Sequence, residues 1–228
     1  MTAPGFRMVV PLLVLLLAGP LPARTLESVL REMDAAAASF QSLTAHLRVV
    51  KYTAIVSDEA VDEGVIWARR VRPRVNRFLI EFSKPDRYYV AVSERKAEIY
   101  RPRIATVEEY DVSKYRDLAD QVWPFGASGK DLAARYRIAL KEEESVAGQP
   151  AVRLELAPKD QKLLQHITKV EMWISTANWQ PVQQKFYDTT PGDYRLSTYS
   201  QVQVNVAVPE SRLRLPVAPG AKRIQPQK

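Results

Sequence analysis

The sequence predicts a mainly β fold: a curved antiparallel half-barrel of about eleven strands, with one N-terminal helix and a short-helix lid over a hydrophobic cavity. Three observations carry this. Period-2 alternation recurs, most cleanly from Arg74 to Phe82, where Phe78, Ile80 and Phe82 point one way and Arg77, Leu79 and Glu81 the other. Short β-rich runs alternate with Pro, Asp, Gly and Ser turn signals, as in an antiparallel meander. An amphipathic helix precedes the strands, and two short helical stretches interrupt them.

The helix runs from Thr25 to Phe40, with Thr25 or Ser28 as its cap and Leu26, Val29, Leu30, Met33, Ala37 and Phe40 as its apolar stripe. Strands follow over Thr44 to Ser57, Val61 to Arg70 and Arg74 to Phe82, with Asp58-Glu59 as the first turn and Arg72-Pro73 as the second. Arg87 to Ser93, Ala97 to Arg101 and Ile104 to Tyr110 continue the meander. Val112 to Ala119 reads as a short helix, Trp123-Pro124-Phe125-Gly126 as an apolar knot, and Ser128 as the cap of a second short helix. Strands resume over Tyr136 to Glu144, Ala151 to Ala157, Ile167 to Ser175, Val182 to Asp188 and Tyr194 to Val206. In the last of these, Leu196, Thr198, Val202 and Val204 are expected on one face. Pro209 onward reads as a short strand and a frayed end.

Composition narrows the function. Arg7, the apolar run Met8 to Gly19 and the stretch Pro20 to Ala23 have the layout of a secretory signal peptide, residues 1–23, cleaved after Ala23. The run falls short of the about 20 apolar residues of a membrane span. Residues 24–215 are expected to form one domain and 216–228 a flexible, basic, proline-rich tail. The chain has no cysteine, which excludes a disulfide framework, a thiolate metal site, a Cys nucleophile and a lipidated Cys at the cleavage site. The expected product is therefore a soluble periplasmic protein, for a source with two membranes. The net charge of +7 invites a nucleic-acid reading, but export removes that substrate.

No catalytic or metal constellation stands out. Two histidines, His46 and His166, have no ligand partner at useful spacing. No phosphate loop and no G-x-S-x-G elbow occur. The carboxylate runs Glu108-Glu109-Asp111 and Glu142-Glu143-Glu144 sit in polar contexts and read as solvated turns. The expectation is a protein that is not an enzyme and needs no cofactor or metal. What remains is an apolar face. Trp67, Phe78, Ile80, Phe82, Tyr88, Val90, Val92, Met172, Ile174 and Phe186 are the expected cavity wall, under a lid carrying Trp123 and Phe125. Each CH₂ of a buried acyl chain would contribute roughly 0.8 kcal/mol.

In order along the chain, the landmarks are Ala38-Ser39-Phe40, Gly64, Arg72-Pro73, Ile80-Glu81-Phe82 with Pro85, Lys96 with Ile99-Tyr100 and Pro102, Leu156-Ala157-Pro158-Lys159, Val170 to Ser175, Gln184 to Asp188, Gly192-Asp193 and Asn205. In this order the chain resembles the periplasmic outer-membrane lipoprotein carriers, the LolA family. The resemblance implies a half-barrel that binds lipoprotein acyl chains and escorts them from the inner to the outer membrane. It implies an inner-membrane ABC releasing complex as donor, an optional outer-membrane receptor lipoprotein as acceptor, and a monomer that does not bind nucleic acid. It also implies a latch, an arginine just before the proline of the basic turn that holds the lid. Arg72 matches that position, with Arg70 and Arg74 beside it. The alternative is a carrier or sensor of another envelope lipid, a glycolipid or phospholipid.

Overall fold

The computed structural model describes residues 24–72, 75–93, 95–112 and 123–226. The signal segment, Pro73, Arg74 and the first lid helix beyond Val112 lie outside the described residues.

Helix α1 spans Leu26–Ser39. Thr25 caps it in an extended conformation, and Thr25 and Ser28 exchange side chain-to-backbone hydrogen bonds, which satisfies two otherwise orphan N–H groups. Val29, Met33 and Ala37, four apart, form its buried line.

Among the described residues, twelve strands make one sheet: β1 Ser42–Thr53, β2 Asp58–Arg72, β3 Val75–Lys84, β4 Tyr88–Val92, β5 Lys96–Arg101, β6 Thr106–Asp111, β7 Tyr136–Val146, β8 Gln149–Pro158, β9 Ile167–Ser175, β10 Pro181–Asp188, β11 Tyr194–Val204 and β12 Lys222–Ile224. Their spatial order is β12-β6-β5-β4-β3-β2-β1-β11-β10-β9-β8-β7, so two antiparallel meanders join through β1 and β11 and the sheet does not close. The eleven expected strands are present; the twelfth, β12, pairs in parallel with β6. Helix α2 (Gly129–Arg135), capped by Ser128 as expected, leads into β7. A short helix α3 (Gln161–Leu164), capped by Asp160, occupies what reads in sequence as a charged loop.

Some turns and faces differ from expectation. The first turn is a 3₁₀ turn over Ala54–Val56 closed by Ser57 in the left-handed region, and Asp58 and Glu59 pair with Thr53 and Tyr52 as strand residues. Ile55, 89% exposed, sits at that tip, so its apolar character reads as strand although it packs against nothing. In β11 an irregular register opposite Thr44 and His46, with Gln201 at φ 50°, adds a residue. Parity then flips. Tyr199 joins Val202 and Val204 on the inner face, and Leu196 and Thr198 do not share it.

The concave face holds two apolar clusters. One packs α1 and α2, through Val29, Met33 and Leu132, onto Leu154, Leu156, Val170, Met172, Ile174 and Phe186 of β8–β10. The other joins Phe40, Leu43, Ala45, Leu47, Ile66, Ala68, Phe78, Phe82 and Tyr199 with Trp123 and Phe125. Gly64 lies opposite a bulge in β3, where Ser83 is the extra residue; a Cβ on Gly64 would stand 2.3 Å from the Glu81 carbonyl oxygen, so only glycine permits the approach.

On the convex side, the expected flexible tail is instead an ordered strap through residue 226. Leu213 is buried, and Leu215, Val217 and Ala221 pack on Leu79, Tyr89, Tyr100 and Val107. Glu210 accepts from Arg77 at 2.6 Å and from Arg69, and the Ala218 N–H donates to the Tyr100 hydroxyl. The tail's apolar residues, spaced among prolines, have a sheet face to cover. Arg223 of β12 ties to Glu98 at 2.9 Å and to Glu109. Hydrogen bonds from Lys96, then Arg223, hold the Glu109 carboxyl down to about 2 from an ordinary 4.5. A depressed carboxylate stabilises fully above its unfolded value and loses that contribution as pH falls toward its folded one. Acid is therefore expected to loosen β12 between about pH 4.5 and 2. The protection of the Val107 and Arg223 amides, relative to their intrinsic exchange rates, should fall across that window in wild type and stay level in Glu109→Gln.

Candidate functional site

The concave face is covered, and the cover is aromatic. Trp123 stacks on Phe78 with centroids 4.6 Å apart and planes 16° from parallel. Phe125 packs against Trp123 at 5.3 Å and meets Tyr199 edge-on at 4.7 Å. Tyr199 is buried, which pushes its hydroxyl pKa up and keeps it neutral.

Among the described contacts, Arg70 ties the cover down. Its Nη1 donates to the Ala37 carbonyl at 2.7 Å, its Nη2 to the Gly126 carbonyl at 3.2 Å, and its guanidinium lies 5.1 Å over the Phe40 ring. Burial lowers its pKa from the usual arginine range. The Gly126 N–H donates in turn to the Gln180 Oε1 at 3.0 Å, and Gln180 is 3% exposed. Gly126 has φ +67° and no room for a Cβ, which would stand 2.7 Å from both Arg70 Nη2 and the Phe40 ring. The turn that anchors the cover thus requires glycine.

Arg72, the residue that matches the family landmark, makes neither of these two contacts. The β2–β3 register slips between Arg70 and Arg72: Arg70 pairs with Asn76, and Arg72 with Val75. Val71 is the extra residue. The bulge turns Arg72 to the opposite face, where it is exposed at the strand end. The in-facing series Ile66, Ala68 pointed to Arg70; the bulge itself left no sequence signal. Gln180 and Gly126 were also missed, since a glutamine in a turn and a glycine after an aromatic have many uses.

The expected wall residues divide. Phe78 and Phe82, with partly buried Ile80, Tyr88, Val90 and Val92, belong to the cluster under the aromatic cover. Met172, Ile174 and Phe186 lie in the cluster under α1 and α2. Trp67 is a correction: it pairs with Leu79 on the convex face, beneath the strap, with the Arg212 guanidinium 5.3 Å over its ring. Period 2 dictates this, because Ile66 and Ala68 face inward.

Between the C-terminal half of α1, residues 123–132 and the inner ends of β2, β3 and β8–β10 lies a pocket of about 470 Å³, within the usual size for small-molecule sites. Met172, Trp123 and Phe125 line it, together with Arg70, Asn76, Leu132, Tyr136 and Leu156. Burial pushes Tyr136 up to about 12.

The acidic runs are structural. Glu142 and Glu144 pair with Arg153, Glu144 also accepts from the Trp173 indole, and Glu108 and Glu109 pair with Arg101, Lys96 and Arg223. His46 and His166 are both exposed. Among the described residues, no group of three or more His, Asp or Glu side chains could hold a metal, and no helix is long and apolar enough to cross a membrane.

A sheet of this order, open at both edges and lined with an aromatic-covered apolar face, is an open half-barrel. The solved structures it is similar to agree on that fold. MucB matches with a TM-score of 0.54 at 20% identity, over 83% of this chain and 62% of MucB. An uncharacterized conserved protein from Thermus thermophilus matches with 0.53 at 14% identity, over 87% and 98%. The Mycobacterium tuberculosis lipoprotein LppX matches with 0.51 at 10% identity, over 81% and 97%. The chain spans about three fifths of the length of the MucB chains it matches. A family model described only as an uncharacterized protein matches residues 99–209. No curated protein matches. At 20% identity or less, these likenesses show the fold alone.

Proposed function

We propose that this protein is a periplasmic carrier that takes lipoprotein acyl chains onto its concave face and escorts them from the inner to the outer membrane. The observation that carries this reading is the latched aromatic cover. Trp123 and Phe125 lie on the sheet's apolar face from a segment that hangs on polar contacts to Arg70 and Gln180. Such a cover can lift without dismantling the sheet beneath it, and acyl chains can replace its rings on the same surface. Binding of this kind needs no covalent chemistry, which fits the absence of a catalytic motif in the sequence. An inner-membrane ABC releasing complex would load the carrier, and an outer-membrane receptor lipoprotein could unload it.

Depletion in the source organism should leave lipoproteins at the inner membrane, and the purified mature chain should carry lipoprotein or bind an acyl fluorophore. Normal sorting, with a glycolipid or phospholipid found by mass spectrometry of the purified material, would replace the reading with a carrier of that lipid. MucB has been solved in complex with MucA. On that likeness the second reading is a lipid-responsive sensor, which a pull-down yielding a membrane-bound regulator in place of lipoproteins would favour.

A further inference from the structure

The concave face turns cationic toward the turns that join β1 to β2 and β10 to β11. On β11, Arg195 lies four residues before Tyr199, so period 2 sets both on the inner face, ahead of the bulge. Its guanidinium stands 5.2 Å over the ring of Phe186, the inward residue that it pairs with on β10. Across the other edge of β11 it pairs with Lys51, which follows Leu47 and Val49 on the inner side of β1. Both cations are exposed, so their donors are open to a ligand. The protein around Arg195 still lowers its pKa by desolvation, as a charge standing inside a concavity requires.

Among the described residues, neither cation has a carboxylate in ion-pair contact, whereas Arg69, Arg77, Arg153 and Arg223 each have one. Two inner acids stand near them and both are engaged elsewhere. Asp188 acts on Arg195 only at a distance and accepts from Thr189 and from the Thr190 N–H. Asp62, inward on β2, is bound by the Tyr88 hydroxyl. A partly desolvated charge without a partner is costly, and an anion supplied by a ligand would offset that cost. Directly opposed residues hold their Cβ atoms roughly 5 Å apart, so one oxyanion reaches both cations. Both belong to the sheet, so they stay in place when Trp123 and Phe125 lift.

We propose that Arg195 and Lys51 bind the anionic headgroup of an acyl lipid, whose hydrocarbon lies along the apolar face toward Tyr199 and Phe78. This rests on the reading that the concave face takes acyl chains, and it adds the class of headgroup at the end of the chain, a phosphate or a carboxylate.

The test is calorimetric titration of the mature chain with decyl phosphate, decanoate and decyl glucoside, each below the concentration at which it forms micelles. Wild type should bind at least one of the two anions about tenfold more tightly than the glucoside, and the one preferred names the oxyanion. Arg195→Gln should bring that anion down to the affinity of the glucoside, whose unchanged binding shows that the variant folds. Lys51→Gln should weaken the anion about threefold and leave the glucoside as it was. Equal binding of all three probes by wild type would overturn the headgroup site and leave the acyl-binding reading standing. Binding of none would overturn both. A preference that both variants leave intact would put the anion elsewhere and overturn the assignment to Arg195 and Lys51. Inorganic phosphate that displaces the preferred anion at equal concentration would make this a site for the free ion and overturn its assignment to a lipid.

Discussion

Arg70→Leu should load an acyl fluorophore faster and at lower concentration than wild type. The arginine holds the cover through two charge-assisted hydrogen bonds to main-chain carbonyls, on Ala37 and Gly126, and through its contact with the Phe40 ring. Hydrogen bonds to charged groups contribute about 1.5–3 kcal/mol each, less what the lost burial of the guanidinium returns. A net loss of about 2 kcal/mol from the closed state would raise the open population roughly thirtyfold. The sign follows from where the bonds are: both belong to the covered form. Amide exchange at Gly126 should rise in parallel, which separates opening of the cover from a change in the wall. Gly126→Ala should act the same way, since its Cβ would displace both Arg70 and Phe40. Equal loading curves for Arg70→Leu and wild type would remove the latch from the mechanism.

The latch also marks what the sequence could disclose. Strand number, the N-terminal helix and the Ser128 cap follow from local rules, namely alternation, turn residues and capping chemistry, so they were legible. The Phe78-Ile80-Phe82 face was legible for the same reason. Whatever depends on counting across an irregularity was not. One extra residue in β2 takes Arg72 out of the register of Arg70, and one in β11 brought Tyr199 inward in place of Thr198. Trp67 was misplaced by hydrophobicity alone, although the parity of Ile66 and Ala68 already assigned it to the other face. The carboxylate runs looked solvated because their partners sit on other strands, Arg153 on the strand that follows β7 and Arg223 at the far end of the chain. The strap was missed for a related reason. Proline and basic residues mark a segment without internal order, yet its order is borrowed from the convex face it covers.

Truncation after Pro209 should therefore lower Tm by about 10 °C or more, a loss of about 3–5 kcal/mol for a domain of this size. An antiparallel sheet tolerates water on one face only where that face is polar. Here the outer side of β2–β6 carries Trp67, Leu79, Tyr89, Tyr100 and Val107, and the strap supplies Leu213, Leu215, Val217 and Ala221 to cover them. Removing it also leaves Arg69 and Arg77 without Glu210, and exposes the β6 edge that β12 pairs. The truncated chain should be aggregation-prone as well as less stable, because a contiguous apolar patch and a free strand edge would appear together. Leu213→Ala isolates the packing component. It empties one fully covered position and should cost about 2–4 kcal/mol with the strap still in place. Acyl loading separates stability from function: the strap lies on the face opposite Trp123 and Phe125, so Leu213→Ala should load its probe as wild type does below its lowered Tm. A truncated chain with unchanged Tm and no self-association would mean that the convex face is stable without its cover and that residues 210–226 are the dispensable tail their composition suggests.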